Sequence, residues 1–116
     1  MGGRASRIKG HSFEREIAIK LRKYYPGARR GLQYRDGAEC SDVIGTPWFI
    51  ECKRHRKVSI QQAAYQAEQA KPGSQAFLVV SKDDRGKLLV TMEWEEFERF
   101  LYALDEGSDL YRDEDE

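Results

Sequence analysis

The tightest constraint on this chain is the stretch Cys40-Ser-Asp-Val-Ile-Gly-Thr-Pro-Trp-Phe-Ile-Glu-Cys-Lys53. Asp42-Val43-Ile44 reads as one strand and Trp48–Lys53 as a second, with Gly45, Thr46 and Pro47 supplying the turn between them. Side chains alternate across a strand, so Phe49, Glu51 and Lys53 share one face. Trp48, Ile50 and Cys52 share the other, which is wholly apolar. An acid and a lysine two residues apart on an otherwise apolar strand are poor packing and useful chemistry. With Thr46 and Pro47 at the loop tip, Asp42 falls opposite Glu51, and two carboxylates converge beside a lysine. Such a pair binds hard divalent cations such as Mg²⁺, with waters and substrate phosphate completing the shell. A cation held in this way activates a water and stabilises charge on a phosphoryl oxygen, and the lysine orients that water or neutralises the developing charge.

The rest of the composition fits a polyanionic partner. The 116 residues suit one small domain, and the net charge is zero. That total hides a polarity: residues 1–60 hold 14 Lys/Arg against 6 Asp/Glu, and residues 61–116 hold 6 against 14. The asymmetry predicts a polyanion-binding surface and an acidic tail. Cys40 and Cys52 are the only cysteines. With no secretory apolar region and no apolar run near ~20 residues, the expectation is a cytoplasmic protein with free thiols and no membrane association.

Around the central stretch the elements follow in order. Residues 1–11 read as a flexible, basic, glycine-rich arm, with Arg4, Arg7 and Lys9 available to phosphate. Ser12 is the expected N-cap of a helix to about Tyr25, stopped by Pro26-Gly27. On that helix Glu14 stacks with Ala18, Leu21 and Tyr25 on the inward side, while Glu16 points outward. An acid in a first helical turn is favourable anyway, but that does not explain its inward orientation. Residues 28–34 predict a polar strand, with Arg29, Arg30 and Arg35 facing nucleic acid or guarding a sheet edge. Asp36-Gly37-Ala38-Glu39 is the expected loop leading to Asp42.

Beyond Lys53, the run Arg54-His55-Arg56-Lys57 is either a solvated face or a phosphate contact beside the acidic cluster. Ser59 caps a helix from Ile60 to about Ala70 whose alanines permit close packing on a sheet. Gln61 and Tyr65 are spaced so that both could look toward the site-bearing strand, with solvated glutamines as the default expectation. Residues 76–80 predict a strand buried on both sides, and Asp83–Gly86 a turn into a hairpin partner over residues 87–92. A last amphipathic helix spans Glu93 to about Leu104, with Trp94, Phe97, Leu101 and Leu104 as its packing stripe. Residues 105–116, with 7 acids, predict a disordered tail. The fold class is α/β: a mixed five-stranded sheet flanked by helices, with a parallel crossover around the second helix.

The order Glu14, Asp42, Glu51-Cys52-Lys53 on helix, strand and strand resembles the PD-(D/E)XK nuclease superfamily. The opening Lys9-Gly10-His-Ser-Phe-Glu14-Arg15-Glu16 and the later Ile50-Glu51-Cys52-Lys53 resemble archaeal and phage Holliday junction resolvases in particular. The likeness covers roughly residues 9–100. It implies a restriction-endonuclease-like fold and a nuclease domain over residues 12–104. It also implies Mg²⁺-dependent phosphodiester hydrolysis, with Mn²⁺ able to substitute. Carried across, it makes Glu14, Asp42 and Glu51 metal-binding and catalytic, the Cys52 backbone carbonyl a further ligand, and Lys53 the residue orienting water and phosphate. It implies a homodimer acting on branched DNA, a four-way junction, in recombination or repair, in the host cytoplasm if the protein is phage-encoded. The family often carries a catalytic serine in the loop before the aspartate. Here Ser41 adjoins Asp42 directly, so the equivalence is open.

Other readings stay in view. Gln61-x-x-x-Tyr65 resembles the exonuclease branch of the same superfamily, and a repair nickase would use the same residues. A non-catalytic nucleic-acid-binding module would need Glu51 and Lys53 only as an ion pair. A zinc site from His11, Cys40, Cys52 and His55 lacks the paired short spacing such sites use. Tyr24, Trp48, Trp94 and Tyr102 are the aromatic candidates for an interface.

Overall fold

The computed structural model describes the backbone of residues 2–32, 34–35 and 38–107, and the side chains of residues 10–32 and 40–106. The side chains of Arg4, Arg7, Lys9 and Arg35, and the acidic stretch 108–116, lie outside the described residues. Helix α1 spans Gly2–Leu21 and is followed by short strands β1 (Arg29–Arg30), β2 (Tyr34–Arg35), β3 (Ala38–Glu39) and β4 (Val43–Ile44). Strand β5 (Phe49–His55), helix α2 (Ile60–Ala70), strands β6 (Phe77–Asp83) and β7 (Leu89–Met92), and helix α3 (Trp94–Gly107) complete the chain. The result is an α/β fold with a five-stranded mixed sheet in the order β1-β4-β5-β6-β7, and a separate β2–β3 pair. The β5–β6 pair is parallel and its crossover is α2; the other neighbours are antiparallel. No described helix is long and apolar enough to cross a membrane.

Strand alternation sorts the core into two layers. Ile50 packs with Val43, Leu78 and Val80 against Phe13, Ile17 and Ala18 of α1. Its neighbour Phe49 packs with Phe77 and Val79 against Ala63 and Ala67 of α2. Adjacent strand residues face opposite ways, so α1 and α2 cover opposite faces of one sheet. Alanines on α2 let it sit close to the strands. Residues Phe77–Ser81 of β6 are buried on both faces, as the continuous apolar run predicts.

Several boundaries differ from expectation. Helix α1 begins at Gly2, so Ser12 is an exposed mid-helix residue and not a cap. The preceding arginines, alanine and lysine are good helix formers, and nothing in the sequence forces a start at Ser12. The helix ends at Leu21, whose carbonyl accepts from both Tyr24 and Tyr25 N–H (2.9 and 2.8 Å). The single strand expected over residues 28–34 is broken: β1 holds two residues, and the chain then leaves the main sheet to form the β2–β3 pair. Ala38 and Glu39 belong to that pair and not to a loop; Asp36 and Gly37 lie outside the described residues.

The third helix departs most. Trp94, Phe97 and Leu101, three of the four residues of its expected packing stripe, are exposed. The side turned toward the domain carries Glu96, Phe100 and Leu104. Trp48 anchors it, donating its indole N–H to Glu96 Oε2 at 2.6 Å and packing on Phe100 with ring centroids 5.7 Å apart. Trp48 also meets Tyr25 edge-on. Trp48 is therefore an internal contact, not an exposed aromatic.

Candidate functional site

The turn between β4 and β5 decides where the carboxylates go. Gly45 has φ +89°, and a Cβ there would meet the Gly27 carbonyl at 2.3 Å, so only glycine fits. The turn sets Val43 opposite Ile50, and the expected strand over residues 42–44 is shorter by one: Asp42 precedes β4, donates its N–H to the Ile50 carbonyl at 2.7 Å and turns its carboxylate to Cys52 N–H, which brings it beside Glu51. Strand β4 stops at Val43–Ile44 while β5 continues to His55. The sheet is thus notched beside Glu51, Cys52 and Lys53, and side chains from its two faces meet in the notch.

Ser41 builds the edge of that notch. Its hydroxyl accepts from Ile50 N–H at 2.7 Å and lies 2.6 Å from the Val43 carbonyl, to which it donates. The serine is buried and spends its hydrogen bonds on holding β4 to β5. In this arrangement Ser41 ties the two strands together. Gly31 closes the other side. Its N–H donates to the Asp42 carbonyl at 2.9 Å, and a Cβ there would stand 2.1 Å from the Ser41 carbonyl.

Within the notch a cleft of about 360 Å³ gathers Glu14, Arg30, Asp42, Glu51, Cys52 and Lys53. Asp42 Oδ2 accepts from Cys52 N–H at 2.8 Å. Lys53 Nζ lies 3.5 Å from Glu51 Oε1, and Glu51 is buried. Glu14 reaches in from α1, and Arg30 Nε donates to its Oε2 at 2.8 Å. Glu16 is exposed, as the helix-face argument predicts. Burial, then the Glu51 carboxylate, raise the Asp42 carboxyl to about 7; Glu14 adds to this, and the Cys52 N–H and Lys53 oppose it. Burial, with Asp42, Glu14 and Glu51 around it, pushes the Cys52 thiol far up, so it stays protonated and inert.

Hard oxygen donors crowded until one of them is driven toward protonation suit a divalent cation, which would relieve that repulsion. Among the described residues no three His, Cys, Asp or Glu side chains stand as a ready-made metal cage. Mg²⁺ asks for less, using one or two carboxylates with waters and phosphate. Asp42 and Glu51 meet that need, while Glu14 is engaged by Arg30. The His11, Cys40, Cys52 and His55 set forms no cluster among the described residues.

Two further clefts open from the notch. One, of about 290 Å³, shares Cys52 and Lys53 and continues past Arg54, His55 and Arg56. Arg56 and Lys57 are exposed; Arg54 is half-buried, its Nε 4.0 Å from Asp84 Oδ1. Arg29 is exposed on β1. The other cleft, of about 420 Å³, lies between β5 and α2 and joins Glu51 and Lys53 to Tyr65, Gln66 and Gln69. Tyr65 lines this cleft while keeping 67% of its surface exposed. Gln61 is exposed and does not line these clefts; Gln66 and Gln69 do. The signal that finds them is the stripe Gln62, Gln66, Gln69 at helical spacing. Arg30 as the partner of Glu14 is the other feature missed. Asp83 accepts from Val58 N–H at 2.8 Å and fastens the loop after β5.

The chain matches no protein-family model, no curated protein and no solved structure.

Proposed function

We propose that this protein is a metal-dependent DNA endonuclease of the PD-(D/E)XK type with a restriction-endonuclease-like fold, acting on branched DNA such as a four-way junction. The observation that carries the reading is the meeting of Asp42, Glu51 and Lys53 in one notch with the Arg30–Glu14 pair. The notch opens directly onto the basic run at the end of β5. Asp42, Glu51 and the Cys52 carbonyl would hold Mg²⁺, or Mn²⁺ in its place, which supplies a water of lowered pKa and neutralises charge on a phosphoryl oxygen.

The chain's own residues do the rest. Lys53, kept in place by Glu51, orients the attacking water and the phosphate. Arg30 holds Glu14 toward the cleft and is close enough to the notch to turn to a phosphate. Arg54, Arg56 and Lys57 hold the backbone, and Arg29 extends that surface. Water adds to phosphorus, one P–O bond of the backbone breaks, and a proton passes to the leaving oxygen. Shape, and not base sequence, would select a junction. Paired cuts on opposed strands would call for a homodimer.

Tyr65 and Gln66 in the cleft beside Glu51 and Lys53 favour one second reading, an exonuclease of the same chemistry, since an aromatic ring there can stack on an unpaired base. A cleavage assay separates the two. Labelled four-way junction, flap, linear duplex and single strand are incubated with Mg²⁺ and wild type or Asp42→Asn. Paired nicks near the junction centre, lost in the variant, support the resolvase; digestion from ends supports the exonuclease. Binding without cleavage in any divalent metal leaves a nucleic-acid-binding module. In the same assay Glu14→Gln should slow cleavage and Glu16→Gln should not. Equal losses would remove Glu14 from the site.

A further inference from the structure

We propose that the edge formed by β7 and α3 seats a second copy of this chain, the two joined about a two-fold axis through β7. The proposal deepens the reading above by naming the dimer surface, and its geometric basis is independent of the chemistry in the notch.

Three observations carry it. First, Leu88, Leu89, Val90, Trp94, Phe97 and Leu101, close together in the chain, are all exposed; Val90 keeps 56% and Trp94 67% of their surface. Large side chains of this kind at roughly half exposure amount to on the order of 500 Å². That lies within the ~300–600 Å² spanned by the largest apolar patch of a typical monomer, a size that often marks a binding surface, and it supplies more than half of the ~800 Å² each partner contributes to a standard interface. Second, β7 is the last strand of the sheet. Leu89 and Val90 point to opposite faces, yet both are exposed, so among the described residues what lacks a neighbour is the edge itself. Edge strands in monomers are guarded by lysine, proline or a bulge; Leu89-Val90-Thr91-Met92 has neither residue. Third, the ends of the strand differ in charge. Arg85 and Lys87 lie next to its start, where the neighbouring Asp83 and Asp84 turn to Val58 N–H and Arg54, and Glu93, Glu95 and Glu98 follow its end with Arg99 alone against them. Two β7 strands related by a two-fold axis run antiparallel, which sets the basic end of each against the acidic end of the other. An apolar patch with such ends is self-complementary, as a two-fold interface requires.

The acidic stretch 108–116 is a poorer cover. It holds 5 acids with only Leu110 and Tyr111 as large apolar residues, and α3 is itself acidic.

The arrangement has a consequence for the notch. Pairing at β7 makes one continuous sheet in which the two β5 strands are five steps apart, about 24 Å at ~4.8 Å per strand. A two-fold axis normal to that sheet keeps both Glu51–Lys53 faces on the same side. Two sites would then address one branched substrate.

The test uses full-length protein without metal or DNA, so that it does not depend on the nuclease reading. Sedimentation equilibrium from 1 to 100 µM should give a dimer for wild type. Val90→Lys and Leu101→Glu should each lower the association constant at least tenfold, with unchanged circular dichroism. Amide exchange over residues 89–92 in the wild type should slow as concentration rises, a readout that needs no variant to fold. A monomeric wild type across that range overturns the proposal. So does a dimer that both variants leave intact, or exchange over 89–92 that ignores concentration. Association seen only after deletion of residues 108–116 would mean that the tail covers this face, and would also overturn it. If the dimer stands while no nucleic acid is cut, the surface survives and the nuclease reading falls.

Discussion

The notch at β4–β5 and the edge at β7–α3 break the same rule in opposite directions. The notch takes carboxylates out of water: Glu51 is buried and Asp42 is driven to a carboxyl value of about 7. The edge leaves a tryptophan, a phenylalanine and three leucines in water. Neither arrangement helps the isolated chain fold, since burying charge and exposing apolar surface both cost free energy. Buried like charges are relieved by a cation; an exposed apolar stripe is relieved by apolar surface. The two regions therefore point to different missing components, an ion with its phosphate on one side and a protein on the other.

The largest effect expected is in the notch. Asp42→Asn removes a carboxylate from the hard-donor pair and should reduce cleavage by on the order of 10³-fold or more under saturating Mg²⁺. DNA binding should hold or tighten, because a negative charge has gone. Wild-type cleavage in that variant would dissolve the site. Next comes a direct contrast between the regions with one residue type. Phe13→Ala, in the α1 layer of the core, should cost about 3–5 kcal/mol in urea unfolding. Phe97→Ala, on α3, should cost within about 0.5 kcal/mol at concentrations too low for association. Equal losses would show that the α3 face is covered within one chain.

A smaller effect tests the buried charge itself. In the metal-free protein, folded Asp42 keeps its proton up to about 7, whereas the unfolded group loses it near 3.8. Between those values the folded state binds more protons, so stability contributed by this group falls as pH rises from about 4 to about 7 and is level above that. Asp42→Asn should lack this slope and be the more stable protein at pH 8, by on the order of 1–3 kcal/mol. Urea titrations in chelator at pH 5 and pH 8 measure the difference; parallel slopes for the two proteins would mean that Asp42 is not under strain.

How much of this was readable in the sequence follows from the range of the interactions. The meeting of Asp42 and Glu51 was legible because a glycine turn joining two strands is local. Glu14 on the inner face of α1 was legible from helical spacing. The start of α1 was not, because Ser12 is a fit cap and an acceptable interior residue alike. The tie made by Ser41 depends on Gly31 and Ile50 approaching from elsewhere in the sheet. The Glu14–Arg30 pair depends on β1 crossing under α1. Periodicity in α3 announced an apolar stripe, but not what it faces. Trp48 and Phe100 fix the rotation of that helix, and their contact joins residues far apart in the chain.

The smallest effect probes the basic rim where the notch meets solvent. Binding to DNA releases counterions in proportion to the phosphates neutralised, so the salt dependence counts working cations. Arg56 is exposed beside the cleft, and Arg56→Ala should lower the slope of log K against log salt by about 1. Arg54 leans toward Asp84 across 4.0 Å and is half-buried, so part of its charge is already answered inside the chain. Its replacement should change the slope by less. Arg99 belongs to the other region, pairing with Glu96 at 3.4 Å on α3, and Arg99→Ala should leave the slope alone. A drop for Arg99 equal to that for Arg56 would mean that DNA also runs over the β7–α3 edge. The division between an ion-and-phosphate region and a protein-facing region would then fail at its weakest point, where charge alone had been used to draw it.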